Sequence, residues 1–353
     1  MSGLTAYAYL DTRVSIRAEG LLASARLAEL ATRPDAELSD ILREASFFEM
    51  AEAFPTTSRE LEQRILDDYI DDITVLIRPL KGAAREFLAW WKHRYEIVNL
   101  KHCIRHHLLG LPPAALRDKL VDLGPTSELP VDELTRAEDV EELLRRLEST
   151  AYGDMVRQAR RVFEEHHTLF DLEATLDRQY YSGLVARFDE LPERDRRPLA
   201  ELVGAIADQL NLTWALRYRF TFGLEPAHVY LLLITPGRLL GKAQLMSLVQ
   251  KDGLEAVLAS LPAPLSELLA GLDSIVAIEK AMDLRTQRIA RRILAHTRFT
   301  LARAFAYLVL RERQILKVHV ALKGRLLGLD EESINIASRL PEDFLGSAAN
   351  AGA

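Results

Sequence analysis

Three stretches of this chain carry the same markers, in the same order and at nearly the same spacing, and this repetition restricts the fold more than any other feature. The first marker is an acid, then an anchor three residues on, then Leu. It reads Glu96-Ile-Val-Asn99-Leu100-Lys101, Asp208-Gln-Leu-Asn211-Leu212-Thr213 and Glu312-Arg-Gln-Ile315-Leu316-Lys317. A Gly-Leu pair, read as a helix stop, begins 11, 12 and 13 residues after the anchors, at Gly110, Gly223 and Gly328. Upstream of the anchors by 38, 39 and 37 residues stands a second marker: Leu61-Glu62, Leu172-Glu173 and Ile278-Glu279. Ile65, Leu176 and Met282 lie four residues past its first position. Leu123 and Ile234 each precede a Gly/Pro turn, with Leu134 and Leu245 following 11 residues later and Leu147 and Leu258 following at 24. The anchors are 112 and 104 residues apart, outside the 20–50 residue period of ordinary solenoids. The reading is three related lobes, each about one small domain in size, spanning 1–110, 111–224 and 225–340, with a frayed tail over 341–353 that is small and featureless from Gly346 on.

Each lobe is expected to be all-α. Leu, Ala, Arg and Glu dominate the chain, and these are strong helix formers, while β-branched runs of period two are almost absent. Apolar residues recur at helical spacing in Ile65, Tyr69, Ile73, Leu76 and Leu80, in Leu143, Leu144 and Leu147, and in Ile289, Ile293 and Leu294. Pro and Gly punctuate the helices at Leu111-Pro112-Pro113, Leu123-Gly124-Pro125, Leu191-Pro192, Pro236-Gly237 and Leu261-Pro262-Ala263-Pro264. A chain of 353 residues also exceeds what one hydrophobic core usually serves.

Composition removes several function classes. A net charge of −7 disfavours a general nucleic-acid binder. One cysteine, Cys103, forbids an internal disulfide and an all-cysteine metal cage, and fits a reducing compartment. The most apolar run, Val229 to Ile234, is far shorter than the ~20 residues that cross a bilayer. Met1 to Arg17 lacks the basic-then-apolar pattern of a signal peptide, so the expectation is a cytoplasmic chain that docks on something embedded in a membrane.

Three stretches imitate chemical sites, and two more form basic strips. Gly237-Arg-Leu-Leu-Gly241-Lys242-Ala243 resembles a phosphate loop, but it has three residues between the glycines where four are needed and Ala243 where Ser or Thr would hold magnesium. Asp67-Asp68-Tyr-Ile-Asp71-Asp72 sets two Asp pairs at i and i+4, as magnesium–diphosphate chemistry requires. No second acidic cluster of that quality is visible, and the stripe Ile65, Tyr69, Ile73 is expected to leave these acids on a solvated face. Lys101-His102-Cys103-Ile-Arg105-His106-His107 offers His102/His106 and Cys103/His107 as metal-ligand pairs without the remaining ligands, His166-His167 being the nearest candidates. The bland reading is a polar helix face with Cys103 partly buried. Arg157, Arg160 and Arg161, and Arg285, Arg288, Arg291 and Arg292, form basic strips that are solvated faces or docking surfaces for an acidic partner. No Gly-x-Ser-x-Gly elbow or Cys/His nucleophile is found.

The opening Tyr7-Ala-Tyr9-Leu-Asp-Thr-Arg13-Val14, the turn at Leu123-Gly124, the segment Thr150-Ala-Tyr152, Ile234-Thr-Pro236-Gly237 and the closing Ala306-Tyr307-Leu308-Val309-Leu310-Arg311-Glu312-Arg313 together resemble the C subunit, called d in eukaryotes, of V-type and archaeal-type rotary ATPases. The resemblance runs from about Ala6 to about Leu340. Ile315 departs from the Asn of the other two anchors, and Thr213 from the Lys. The resemblance implies a funnel of three helical lobes without a catalytic site, cofactor, metal or small-molecule substrate. Such a subunit sits on the cytoplasmic face of a membrane proteolipid ring, receives the end of the central shaft, and passes torque between ATP synthesis or hydrolysis and proton or sodium transport. It has no membrane span of its own and binds no nucleic acid. A generic helical protein-binding scaffold is the alternative, and an all-α magnesium-dependent enzyme built on Asp67 to Asp72 a more distant one. Three similar lobes suit a symmetric ring partner better than they suit one unique active site. The candidate contact residues are the basic groups around the anchors: Lys101, Arg105, Arg217, Arg219, Lys317 and Lys323, of which Arg105 and Arg217 sit six past their anchors.

Overall fold

The computed structural model describes residues 3–110, 116, 119–124, 127–235 and 237–337, and among them every regular element is a helix. Seven long helices carry the architecture: α1 (Gly3–Ala18), α2 (Ser58–Ile77), α3 (Gly82–Leu109), α4 (Leu169–Asp189), α5 (Glu193–Leu216), α6 (Ile275–His296) and α7 (Leu301–Leu326). Shorter helices come before each of the pairs α2/α3, α4/α5 and α6/α7. Ser24–Thr32, Asp35–Glu44 and Phe48–Glu52 precede α2; Val131–Leu134, Val140–Leu147 and Gly153–His166 precede α4; four more between Pro226 and Leu269 precede α6. The expected breaks at Pro112-Pro113, Pro125 and Pro236 and the frayed tail lie outside the described residues.

The repeated markers occupy repeated positions. The first helix of each pair starts under a hydroxyl: the side chains of Thr57, Thr168 and Ser274 accept from the backbone N–H groups of Glu60, Asp171 and Ala277. Such a cap satisfies one of the orphan donors of the first turn and contributes about 1 kcal/mol. Leu61, Leu172 and Ile278 are then the fourth residue of α2, α4 and α6, and all three are buried. Glu62, Glu173 and Glu279 are the fifth. The second helix of each pair buries Leu100, Leu212 and Leu316 and stops at a glycine. Gly110, Gly223 and Gly328 have φ of 59°, 68° and 68°, the left-handed region where a Cβ is strained. After the third stop, Leu329 N–H donates to Gly324 C=O at 2.9 Å. After the second, α5 widens into a π turn over Arg217–Thr221, and Leu224 N–H reaches one residue further back, to Tyr218 C=O.

By packing density the chain forms two units, one of Met1–Ala89 with Arg187–Glu342 and the other of Trp90–Ala186. In the first, α7 is buried on nearly every face and packs against α1, α2, α5 and α6. Its polar residues are therefore matched inside the protein: Arg303 donates to Asp11 at 2.8 Å, and Gln314 donates to Gly20 C=O and accepts from Leu22 N–H. An unmatched charge there would cost several kcal/mol. In the second unit, the helix Val140–Leu147 turns Val140, Leu143, Leu144 and Leu147 inward, the stripe expected from the sequence. Trp90 donates its indole N–H to Tyr180 C=O at 2.9 Å.

Candidate functional site

The polar residues of the repeat converge on two devices. The first is a charge clamp. Arg105, on the second helix of the first pair, grips Glu173, on the first helix of the next, through Nε and Nη2, the latter at 2.7 Å. Arg217 grips Glu279 in the same two-pronged way, Nη2 to Oε2 being 2.7 Å. The third cation, Lys323 of α7, returns to the first pair and holds Glu62 at 2.8 Å, joined by His319 at 3.3 Å. Glu173 and Glu279 are 0% and 2% exposed, and a guanidinium fork faces each, as a carboxylate so deeply buried requires. The hydrogen bonds that Arg105 donates to Glu173 in turn raise the Arg105 pKa against the opposing effect of burial. Glu62 is half-exposed, and its pKa is lowered to about 2, first by the hydrogen bond from His319 and then by Lys323, with burial working against both.

The second device fastens the chain that follows the second helix of a pair. Asn99 accepts from Val121 N–H and donates to Val121 C=O, both at 2.8 Å. Asn211 makes the same pair of bonds to Ile234, also at 2.8 Å. By this test Val121, not Leu123, is the counterpart of Ile234; the leucines 11 and 24 residues past Leu123 favoured the wrong choice, and Val121 and Leu123 lie equally near the 23-residue distance from Asn211 to Ile234. The acid three residues before each Asn holds backbone further along. Glu96 accepts from Glu128 N–H and from the Tyr152 hydroxyl, and Asp208 accepts from Leu239 and Leu240 N–H. Burial raises the pKa of both acids while these donors pull it down. Ile315 replaces Asn in the third repeat and is fully buried. Its side chain has no polar atom, so it packs where Asn99 and Asn211 fasten backbone.

This arrangement accounts for the apparent phosphate loop. The backbone amides that follow Gly237 wrap the carboxylate of Asp208, an anion the protein supplies itself. A Cβ on Gly237 would come within 2.5 Å of Asp208 Oδ1, so glycine is required by that approach.

All six candidate contact residues have partners within the chain. Besides the three clamps, Lys101 pairs with Asp177. Arg219 donates to Val249 and Leu224 C=O at 2.9 and 2.8 Å, and Lys317 donates to Ser24 Oγ at 2.8 Å. For two of the three clamps the sequence contained both halves, the Glu after a repeated Leu or Ile and the Arg six past the anchor. Their complementary charge was the signal that would have joined them.

The acidic run is not a solvated face throughout. Asp67 and Asp71 are exposed, whereas Asp72 is 5% exposed and accepts from Tyr307 at 2.7 Å and Arg311 at 3.1 Å, with Arg17 also at 3.1 Å. Asp68 is half-buried, and burial pushes its pKa up to about 7 against the pull of Arg311. The reason is register. Asp68 and Asp72 stand three residues after Ile65 and Tyr69, within the apolar arc of α2. The carboxylate best placed to begin a magnesium site is thus neutralised by arginine. Cys103 is fully, not partly, buried and its thiol is pushed up to about 12. Burial and nearby cations bring His102 down to about 4, and His107 meets Leu134 C=O at 2.9 Å. Among the described residues no three His, Cys, Asp or Glu side chains group as metal ligands, and no helix is long and apolar enough to cross a membrane.

Comparison with known proteins gives one answer along almost the whole chain. The family described as ATP synthase (C/AC39) subunit matches residues 10–336. The C subunit of the A-type ATP synthase of Methanocaldococcus jannaschii is 25% identical over 344 residues, covering 94% of this chain and 86% of that protein. The protein of the same description from Halobacterium salinarum is 24% identical, with 94% and 97% covered, and that from Thermococcus kodakarensis is 25% identical, with 98% and 92% covered.

Proposed function

The chain belongs to the ATP synthase (C/AC39) subunit family, and on that premise we propose that it is a non-catalytic rotor part of a rotary ATPase. In this reading it stands on the cytoplasmic face of the membrane, links the central shaft to the proteolipid ring, and carries torque between ATP chemistry and ion movement. Its three lobes would present related helix ends to a partner that is itself a ring. The observation that carries the reading is the match over residues 10–336 together with a polar design devoted to holding repeat to repeat. The buried carboxylates Glu173 and Glu279 face arginines of the preceding repeat, and Asp208 faces backbone amides, so none is left open to a substrate. A part that transmits torque must resist shear between its lobes, and two-pronged buried ion pairs resist it because breaking one strands a charge.

The test is a deletion strain. ATP hydrolysis by the detached catalytic sector is expected to persist while ATP-driven ion movement is lost, and the chain should co-purify with shaft and ring and leave membranes when the complex is dissociated without detergent. Ion movement still fully coupled to hydrolysis in the deletion strain would overturn the proposal.

A further inference from the structure

A cavity of about 320 Å³ opens between α6, α7 and the chain that joins α1 to the helix Ser24–Thr32. On α7, Leu310, Arg313, Gln314 and Lys317 face it, the i, i+3, i+4, i+7 set of one helix face. On α6, Gln287, Arg291 and Leu294 face it by the same geometry. The lining contains three cations, Arg291, Arg313 and Lys317, and no carboxylate. Asp283 stands outside it, ion-paired with Arg313 (Nε to Oδ1, 2.9 Å) and accepting from Gln287 at 2.7 Å. Gln287 in turn accepts from Arg291 at 3.2 Å. Among the described residues, the hydrogen-bond partners of Arg291 and Lys317 are therefore neutral, Gln287 and Ser24. Burial and the positive charges of Arg291, Arg313 and Lys280 lower the Lys317 pKa, with Asp283 opposing them. Among the described pairings, three cations meet one carboxylate, an excess of two positive charges beside walls of Leu22, Leu294 and Leu310.

We propose that this cavity binds an organic phosphate monoester, with its phosphate on Arg291, Arg313 and Lys317 and its alkyl part on the leucines. A phosphate monoester is close to a dianion at neutral pH and offers three acceptor oxygens to the fixed forks of two arginines and the point charge of a lysine. A carboxylate would match only half the excess charge. The volume is that of a small-ligand site. The inference stands apart from the assembly role and is tested on the isolated full chain.

The experiment is calorimetric titration with hexyl phosphate and with inorganic phosphate. Hexyl phosphate is expected to bind one to one and about tenfold more tightly than inorganic phosphate, since burial of two methylenes suffices for that factor. Lys317→Met and Arg291→Met should each weaken it about tenfold with the melting temperature retained, while Arg288→Met, a change outside the lining, should leave it unaltered. Co-sedimentation with phosphatidylcholine vesicles containing phosphatidic acid separates the sources. Sedimentation abolished by Lys317→Met supports a lipid monoester; a chain that stays in the supernatant yet binds hexyl phosphate supports a free one. No saturable hexyl phosphate binding, or equal affinity in the wild type and both Met variants, overturns the proposal. Binding of a Glu-rich peptide without binding of hexyl phosphate also overturns it, in favour of an acidic protein partner.

Discussion

Arg217 and Glu279 show what the buried clamps do at the scale of a residue. Glu279 is 2% exposed, so Arg217→Met should strand its charge and destabilise the chain by about 3 kcal/mol. Arg217→Met combined with Glu279→Met should recover most of that loss, because the double change removes the charge as well as its partner. Urea unfolding of the two variants checks both outcomes. Asp68 supplies a pH test. Its folded pKa, about 7, lies above its ordinary value of 3.8, so between these values the folded state keeps a proton that the unfolded state releases. Its contribution to stability therefore declines as pH rises from about 4 to 7. Asp68→Asn removes that decline, and its stability relative to wild type, followed by urea unfolding, should climb across the window, reaching a gain on the order of 1–3 kcal/mol above pH 7. Both acids of α2 that point inward were legible in principle, since Asp68 and Asp72 fall in register with Ile65 and Tyr69. Their arginine was not, because Arg311 lies 239 residues from Asp72 and no local spacing connects them.

At the scale of an element, the repeat was readable because it is written in local chemistry. Ser/Thr caps, Leu or Ile followed by Glu at the fourth and fifth helical positions, and glycine stops act within a turn or two, where sequence patterns carry information. What those elements grip was not readable. Glu173 and Glu279 stand 68 and 62 residues from their arginines, and the fastener from Asn99 to Val121 was displaced by two residues. The Gly237 loop was misleading for a physical reason: backbone amides that curl around an anion look alike in sequence whether the anion is a phosphate or Asp208. Asn211→Ala removes the only side-chain bonds to Ile234 among those described and leaves a buried N–H and C=O unmatched. It should cost about 2 kcal/mol. Hydrogen exchange at residues 234 and 239–241 should quicken by at least about tenfold, while exchange in α6 stays within about twofold of wild type.

For the whole molecule, the all-α class followed directly from composition and periodicity, and the matching placement of the markers on the helix pairs from their spacing. The three clamps are not equal in strength. Two bury their carboxylate under an arginine fork, whereas Glu62 and Lys323 are each 39% exposed at the side chain, so salt weakens the third most. The Glu62 pKa is lowered to about 2. The stabilisation it gives is complete above the ordinary carboxyl value of 4.5 and is lost as pH falls toward about 2. Glu62→Gln should lower stability by roughly 0.5–1 kcal/mol at pH 7, with the difference from wild type vanishing as pH approaches about 2. Thermal melts across that range provide the check.

The helices that this third clamp joins, α2 and α7, are also tied some ten residues away by Asp72, Arg311 and Tyr307, all buried. One end of the seam is thus a latch and the other a pivot. Strain along the seam would therefore part Glu62 from Lys323 before it disturbed Asp72, whose carboxylate is buried against Arg311.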